Sequence, residues 1–122
     1  MTKKIINLNS HPIRVERADS SIYEYPPDGR LLRLQTMDET IAVINGNSIV
    51  RRVYFKPEED EVPPVEKDTW YIVPSQVTQI LRRPDFISPD TKGINGAKRD
   101  EGGQVLSVAR FRMCDDLRKA PK

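Results

Sequence analysis

Proline placement constrains the fold of this chain more than any other feature. The chain of 122 residues contains ten prolines, which are spread over most of its length. A proline fixes φ at about −65° and lacks a backbone N–H donor, so it interrupts helices and inner β-strands. The segments between the prolines are therefore predicted to form short elements joined by turns, and long helices are excluded.

Apolar and β-branched segments between those prolines predict strands. The segments "TIAVI" and "SIVRRVYF" flank "NGN", which is a strong signal for a tight hairpin turn. "IRVER" alternates, with Ile13 and Val15 on one face, and "TWYIV" is apolar enough for a strand buried on both faces. Residues 104–113, "QVLSVARFRM", predict one last strand.

One segment changes to helical spacing. Val77, Ile80 and Leu81 lie at i, i+3 and i+4, Ser75 is a favourable N-cap, and Pro84 would end the helix. We therefore predict a mainly β, single-domain protein over residues 1–122. We expect a small antiparallel barrel or sandwich of about six or seven strands, with one short helix at about residues 75–83. Antiparallel pairing is expected because the chain offers only a short crossover segment.

Composition and charge limit the compartments and partners that we expect. No apolar run approaches the ~18 residues of a membrane-spanning helix, and the N-terminal "MTKKIINLNS" lacks a signal-peptide core. The single cysteine, Cys114, cannot form an intramolecular disulfide, so a reducing cytoplasm is the expected compartment. The formal net charge of +2 gives no strong argument for nucleic acid binding.

The acidic side chains are concentrated in one segment. Residues 57–68, "PEEDEVPPVEKD", hold six acids against one lysine and contain three prolines. We predict a flexible acidic loop here, either simply solvated or able to shield a basic surface. Residues 113–122 are predicted to form a polar tail.

Five motifs, in order, resemble a group of small proteins encoded by bacteriophages, prophages and other bacterial mobile elements. The chain shows "NLNSH", "PPDGRLLRL", "DTWYIV", "RRPDFISPDT" and "KRDEGGQVLSVARF". The group carries Asn-Leu-Thr-Pro-His, Pro-Pro-x-Gly, Thr-x-Tyr-Ile-Val, Arg-x-Asp-x-x-x-Pro and Arg-Asp-Glu-x-Gly in the same order. The chain departs at Asn9 and Ser10, where the group has Thr-Pro. The resemblance implies a phage setting in a bacterial host, which favours accessory roles such as counteracting host defence over metabolism.

The only histidine, His11, lies between Ser10 and Pro12. A catalytic role would need partners, and Cys114 lies beside two aspartates that disfavour its thiolate. No motif for a catalytic residue, a metal or another cofactor is present. We therefore expect His11, with Asn7, to close the turn through side-chain to backbone hydrogen bonds, and a ligand contact is the alternative.

Arginines near strand ends and turns are the second set of candidates. They are Arg82, Arg83, Arg99, Arg110 and Arg112, and the last two share one face of the final strand. Guanidinium groups suit phosphate and carboxylate ligands, although solvated polar faces explain them equally simply. Trp70 and Tyr71 point to opposite faces of their strand, so both are core residues or one contacts a partner.

These features favour a non-enzymatic accessory binding protein in the host bacterial cytoplasm. Its partner would be a host defence protein or a small anionic, nucleotide-like ligand, and self-association is left open. A structural or assembly component of the virion and a minor phosphodiester-cleaving enzyme are the alternatives.

The interpretation of His11 predicts a loss of stability. We expect His11→Ala to lower the melting temperature by several degrees, because losing one buried hydrogen-bond partner costs about 1–3 kcal/mol. A variant that melts like the wild type would identify His11 as a residue outside the turn's hydrogen bonds.

The acidic segment predicts a proteolysis pattern. A Glu-specific protease should cut first within residues 57–68, for example at Glu59 or Glu61. First cleavage at Glu101 would instead place the flexible region at the other end of the chain.

Overall fold

The computed structural model describes residues 3–91, 97–102 and 105–121. Within these ranges it has ten strands, one 3₁₀ turn at Glu59–Glu61 and one α-helix. The elements are β1 (Lys4–Asn7), β2 (Ile13–Glu16), β3 (Ile22–Tyr25), β4 (Gln35–Ile44), β5 (Asn47–Phe55), β6 (Thr69–Ile72), α1 (Ser75–Leu81), β7 (Phe86–Pro89), β8 (Ala97–Arg99), β9 (Val105–Val108) and β10 (Phe111–Arg112).

The mainly β class and the single short helix are confirmed. Two four-stranded sheets form the body, with strand orders β1-β6-β7-β10 and β3-β2-β9-β8, and β4 and β5 form a separate two-stranded sheet. The arrangement is sandwich-like and contains no closed barrel in the described ranges. The strands are more numerous than the six or seven predicted, because the predicted last strand divides in two and because β3, β7 and β8 form in segments that were not predicted as strands.

The expectation of antiparallel pairing is only partly correct. β6 pairs in parallel with both β1 and β7, and β2 pairs in parallel with β9. The segment from β6 through α1 to β7 is long enough for a parallel crossover, which the sequence analysis underestimated. The remaining pairings, β2 with β3, β4 with β5, β8 with β9 and β7 with β10, are antiparallel.

β6 is the inner strand that the apolar segment "TWYIV" predicted. Tyr71 is 1% exposed and Ile72 is 0% exposed, and they belong to different core clusters. Tyr71 packs with Phe86 and with Val77 of α1, whereas Ile72 packs against the second sheet. The first sheet is therefore covered on one face by α1 and on the other by β2 and β9. Each fully buried large apolar side chain contributes about 1.5–3 kcal/mol.

The predicted last strand divides into two. β9 ends at Val108 in the second sheet and β10 begins at Phe111 in the first, so the chain bends at residues 109–110 and changes sheet. A strand that switches sheets in this way connects the two layers of a sandwich. The prediction of one continuous strand was wrong because periodicity alone does not reveal which neighbour each half pairs with.

α1 differs from its prediction in both caps. Pro74, not Ser75, occupies the N-cap, and no side chain caps the helix start. The helix ends at Leu81 because Arg82 adopts a left-handed conformation with φ of 51°, before Pro84 is reached. Val77 and Thr78 are buried, while Ile80, which was predicted to face the core, is 44% exposed.

The predicted hairpin is confirmed, and it forms a two-stranded ribbon that projects from the body. Asn45 and Gly46 have φ of 50° and 80°, the left-handed pair that a tight type I′ turn requires. β4 and β5 pair with each other along Gln35–Ile44 and Asn47–Phe55, and their side chains are mostly exposed. We call residues 35–55 the arm.

The acidic segment is attached to the body at its C-terminal half. The carbonyl oxygen of Pro63 accepts a hydrogen bond from Arg83, that of Pro64 accepts one from the Tyr71 hydroxyl at 3.0 Å, and Val62 packs against the core. Glu58 and Glu61 cap the 3₁₀ turn between them. The flexibility of residues 57–68 remains a prediction. Because these contacts hold residues 62–64, we expect the flexible part to be the exposed acids before Val62.

Asn7, not His11, closes the first turn. The Asn7 side-chain amide donates to the carbonyl oxygens of His11 and Tyr25 at 2.9 and 3.0 Å, and its Oδ1 accepts from the Asn9 N–H at 2.9 Å. Asn7 is 2% exposed, whereas the side chain of His11 is exposed. His11 contributes its backbone carbonyl, so the predicted role of its imidazole in the turn was wrong.

The stability prediction therefore moves to Asn7. We expect Asn7→Ala to lower the free energy of unfolding by about 1–3 kcal/mol, because it leaves buried backbone groups without partners. His11→Ala should melt close to the wild type and serves as the matched control from the same turn. Chemical denaturation of both variants measures the difference, and equal stabilities would contradict the role assigned to Asn7.

Candidate functional site

A buried carboxylate lies where β7 ends. Asp90 follows β7 directly, and its side chain is 0% exposed. β10 pairs antiparallel with β7, which brings Arg110 beside Asp90 and Arg112 opposite Ser88 on the same face. Both guanidinium groups approach Asp90 through Nε, Arg110 at Oδ2 and Arg112 at Oδ1, the latter at 2.9 Å.

This pairing fixes the charge state of the cluster. The hydrogen bond that Arg112 donates to Asp90 and the negative charge of Asp90 both raise the pKa of Arg112 above its ordinary value. Arg112 therefore stays cationic at any physiological pH. Two arginines share one carboxylate, and each guanidinium has five N–H donors, so further acceptors can bind at their half-exposed outer ends.

Two more predicted arginines lie around the same region. Arg99 donates to the carbonyl oxygen of Thr91 at 3.1 Å, next to Asp90. Arg82, at the end of α1, donates to the carbonyl oxygen of Asp115 at 2.6 Å, and the Asp115 N–H donates to Gln79 at 3.2 Å. The start of the polar tail is thereby held against α1.

A cavity of about 400 Å³ opens between these elements. α1 forms one wall, the end of β7 with Arg112 forms another, and Tyr54 of the arm and Asp115 of the tail complete the rim. The lining is mostly polar and comprises Tyr54, Ser75, Gln76, Thr78, Gln79, Ile80, Ser88, Pro89, Asp90, Thr91, Arg112 and Asp115. The volume lies within the range of about 300–1,000 Å³ that is usual for small-molecule sites.

The lining suits an anion that carries a ring. Arg112 offers a fixed positive charge, and hydroxyl and amide groups of Ser75, Gln76 and Gln79 offer hydrogen bonds in several directions. Tyr54 offers an aromatic face, on which a base or another planar ring can stack. Within the described ranges, no cluster of three or more His, Cys, Asp or Glu side chains could hold a metal ion.

Arg83 is held by the core rather than directed to this cavity. It pairs with Asp85 through Nε and Nη2 at 2.9 and 2.5 Å, and its Nη1 donates to the carbonyl oxygen of Pro63 at 2.6 Å. Its guanidinium also lies 4.2 Å from the centre of the Phe86 ring. This set of contacts stabilises the junction between β7 and the acidic segment.

The aromatic candidates, Trp70 and Tyr71, and the histidine, His11, do not line this cavity. Tyr71 and Trp70 pack on opposite faces of β6, as the strand period predicted, and Trp70 is half-buried against the second sheet. His11 lines a neighbouring cleft of about 420 Å³, which shares Pro89 and Thr91 with the first cavity and is bordered on its apolar side by Val105 and Leu106. Of the residues predicted for a site, Arg110 and Arg112 are joined through Asp90, and Arg82 and Arg99 are nearby. The others lie outside the cavity lining: Asn7, His11, Trp70, Tyr71 and Arg83.

The residue that organises the cluster was not predicted from the sequence. Asp90 occurs in "ISPDT", which reads as an ordinary turn sequence. Tyr54, Gln76 and Gln79 were missed as well, because polar side chains of a helix and a strand reveal no shared cavity until the elements are packed. The only available signal was a carboxylate directly after an apolar strand in a chain with many arginines.

Comparisons of this chain with protein-family models, with curated proteins and with solved structures found no match. Among the described residues, no helix has the length and apolar character to cross a membrane.

Tyr71 predicts a measurable pH dependence of stability. Burial, followed by the charges of Glu66 and Asp85, raises the pKa of Tyr71 above its ordinary value of 10.0. The neutral phenol is therefore favoured in the folded state. Its contribution is fully present below about pH 10 and is lost as the pH rises through the raised pKa.

We expect the unfolding free energy of the wild type to fall more steeply above pH 10 than that of Tyr71→Phe. At neutral pH the variant should lose about 0.5–1.5 kcal/mol, the net value of its hydrogen bond to Pro64. Tyr23→Phe, at an exposed position, is the control and should keep the wild-type slope. Parallel pH profiles for the wild type and Tyr71→Phe would contradict this account.

Proposed function

We propose that this chain is a non-enzymatic accessory protein of a bacteriophage or prophage, and that it sequesters a small anionic, nucleotide-type ligand in the host cytoplasm. By holding such a signal it would counteract a host defence system. The motif resemblance supports the phage setting, by association alone. The observation that carries the ligand class is the buried carboxylate of Asp90, which pairs with Arg110 and holds Arg112 at the edge of a polar cavity.

The chemistry of the cavity supports an anion over a neutral ligand. A carboxylate removed from water is costly unless it is paired, so Asp90 holds the nearby guanidinium groups in place through strong charge-assisted bonds. A positioned guanidinium loses little conformational entropy when it binds a phosphate oxygen. Arg112 is the cation among the residues that line the cavity, and its N–H donors that Asp90 does not occupy can bind a phosphate oxygen, while Asp115 on the rim adds a negative charge nearby.

The other lining residues support a nucleotide-type ligand in particular. Tyr54 offers a stacking surface, and base–aromatic stacking contributes about 1–3 kcal/mol per base. Gln76 and Gln79 carry both donors and acceptors, which suits the polar edge of a base or the hydroxyls of a sugar.

Binding without turnover is favoured by where the titratable groups lie. Phosphodiester cleavage needs a general base near neutrality, and histidine is the usual choice. His11 is the only histidine of the chain, and it lines a neighbouring cleft that shares Pro89 and Thr91 with this cavity. The imidazole is not among the groups that line the cavity between α1 and Arg112.

The test is thermal and calorimetric titration with inorganic phosphate and with a panel of cyclic mono- and dinucleotides. A ligand present at a hundredfold excess over its Kd adds about 2.7 kcal/mol of stability, which raises the melting temperature by several degrees. We expect Arg112→Gln to weaken binding at least tenfold and Arg112→Lys to restore only part of it, because lysine lacks the planar fork.

The matched control is Arg118→Gln. Arg118 pairs with Asp116 in the exposed tail, outside the cavity lining, and this variant should bind like the wild type. Absence of any nucleotide effect, or equal losses in the Arg112 and Arg118 variants, would contradict the proposed site. Turnover of a bound nucleotide would favour the enzyme, and recovery of the protein in purified virions would favour the structural alternative.

A further inference from the structure

We infer that the arm is a self-association surface on which a second copy of this chain packs face to face about a twofold axis. This inference goes beyond the proposed function and does not depend on it, because it concerns the face of the arm opposite to Tyr54. The register of β4 and β5 determines which of their side chains share that face.

Residues directly opposite each other in an antiparallel pair point to the same face. One face of the arm, which we call the apolar face, therefore carries the pairs Gln35–Phe55, Met37–Val53, Glu39–Arg51, Ala42–Ile49 and Ile44–Asn47. At the irregularity between Thr40 and Ala42, the alternation of β4 shifts by one residue relative to β5. Ala42 therefore lies on the same face as Glu39. The other face is mixed, and its Tyr54 lines the cavity beside α1.

The apolar face is open to solvent along its length. Ile44 is 54% exposed, Met37 49%, Phe55 46% and Ile49 38%. The arm is also a sheet of only two strands, with no third strand beside it in the described part of the chain. An isolated hairpin is marginally stable in water, and apolar patches exposed in this way mark an interaction site.

The charge pattern points to a second copy as the occupant. Glu39 and Arg51 form a 3.0 Å ion pair in the middle of the apolar face, with apolar side chains on both sides of it. A twofold axis that runs parallel to the strands beside this pair would place Glu39 of each copy against Arg51 of the other, so the face is complementary to itself in that orientation.

A membrane surface fits this pattern less well. Arms that bind membranes carry an excess of lysine and arginine, whereas Asp38 and Glu39 here balance Arg51 and Arg52.

The area of the apolar face determines how tightly the two copies are expected to bind. A ten-residue strand is about 33 Å long, and neighbouring strands are about 4.8 Å apart. Two such narrow ribbons bury less than the roughly 1,200–2,000 Å² of a standard stable interface. We therefore expect a dimer that dissociates on dilution through the micromolar range rather than an obligate one.

The experiment is sedimentation velocity on the full chain over a series of protein concentrations. The wild type should pass from monomer to dimer as the concentration rises. Glu39→Arg and Arg51→Glu should each be monomeric alone, because each gives the face two like charges. An equimolar mixture of the two variants should form a one-to-one heterodimer, because their faces are then opposite in charge.

Two further variants keep the test decisive. Arg52→Glu changes an equivalent charge on the opposite face of the same strand and should dimerise like the wild type. The double variant E39R/R51E restores the pair and should dimerise too, which shows that the single variants had not simply lost the fold. A wild type that stays monomeric at the highest concentrations overturns the inference. So does a dimer that neither single charge reversal affects, or a mixture of the two variants that remains monomeric.

Discussion

The parallel pairing of β6 with both of its neighbours is the constraint on which the rest of the structure depends. Parallel strands cannot be joined by tight turns, so the chain must leave the sheet before β6 and again after it. The return from β6 to β7 places α1 on one face of the sheet, and the excursion after β1 provides β2, which covers the other face through Ile13 and Val15. Burial of both faces then requires the nearly continuous apolar sequence of β6.

The candidate site and the arm both depend on where the chain pairs, or does not pair, after it leaves the first sheet. β10 returns from the second sheet to pair with β7, and this pairing aligns Arg110 and Arg112 with the buried carboxylate of Asp90. The arm is an excursion that does not join either body sheet, so its apolar face stays uncovered. Because Tyr54 lies on the opposite face, a dimer formed through the arm would leave the cavity accessible and would hold two cavities in one assembly.

Some of the residues that the sequence singled out meet in the structure, but their contacts differ from those expected. Arg110 and Arg112 were expected on one face of a strand, and they do converge, but on an aspartate that had been read as part of a turn. Asn7 and His11 were expected to share the closure of the first turn, yet only the Asn7 side chain takes part. Both errors have the same cause. A sequence shows which groups can form hydrogen bonds, whereas burial decides which of them must form one.

The sequence by itself determined the features that depend on neighbouring residues. The Asn45–Gly46 turn, the period of β2 and the apolar character of β6 are local consequences of φ preferences and side-chain spacing, and all three are present in the structure. Tertiary structure alone decided which strands pair in parallel, where the last strand bends between sheets, and that Asp90, Arg112 and Tyr54 meet at one cavity. These features depend on contacts between segments far apart in the chain, and their free energy appears only when the segments bury surface together.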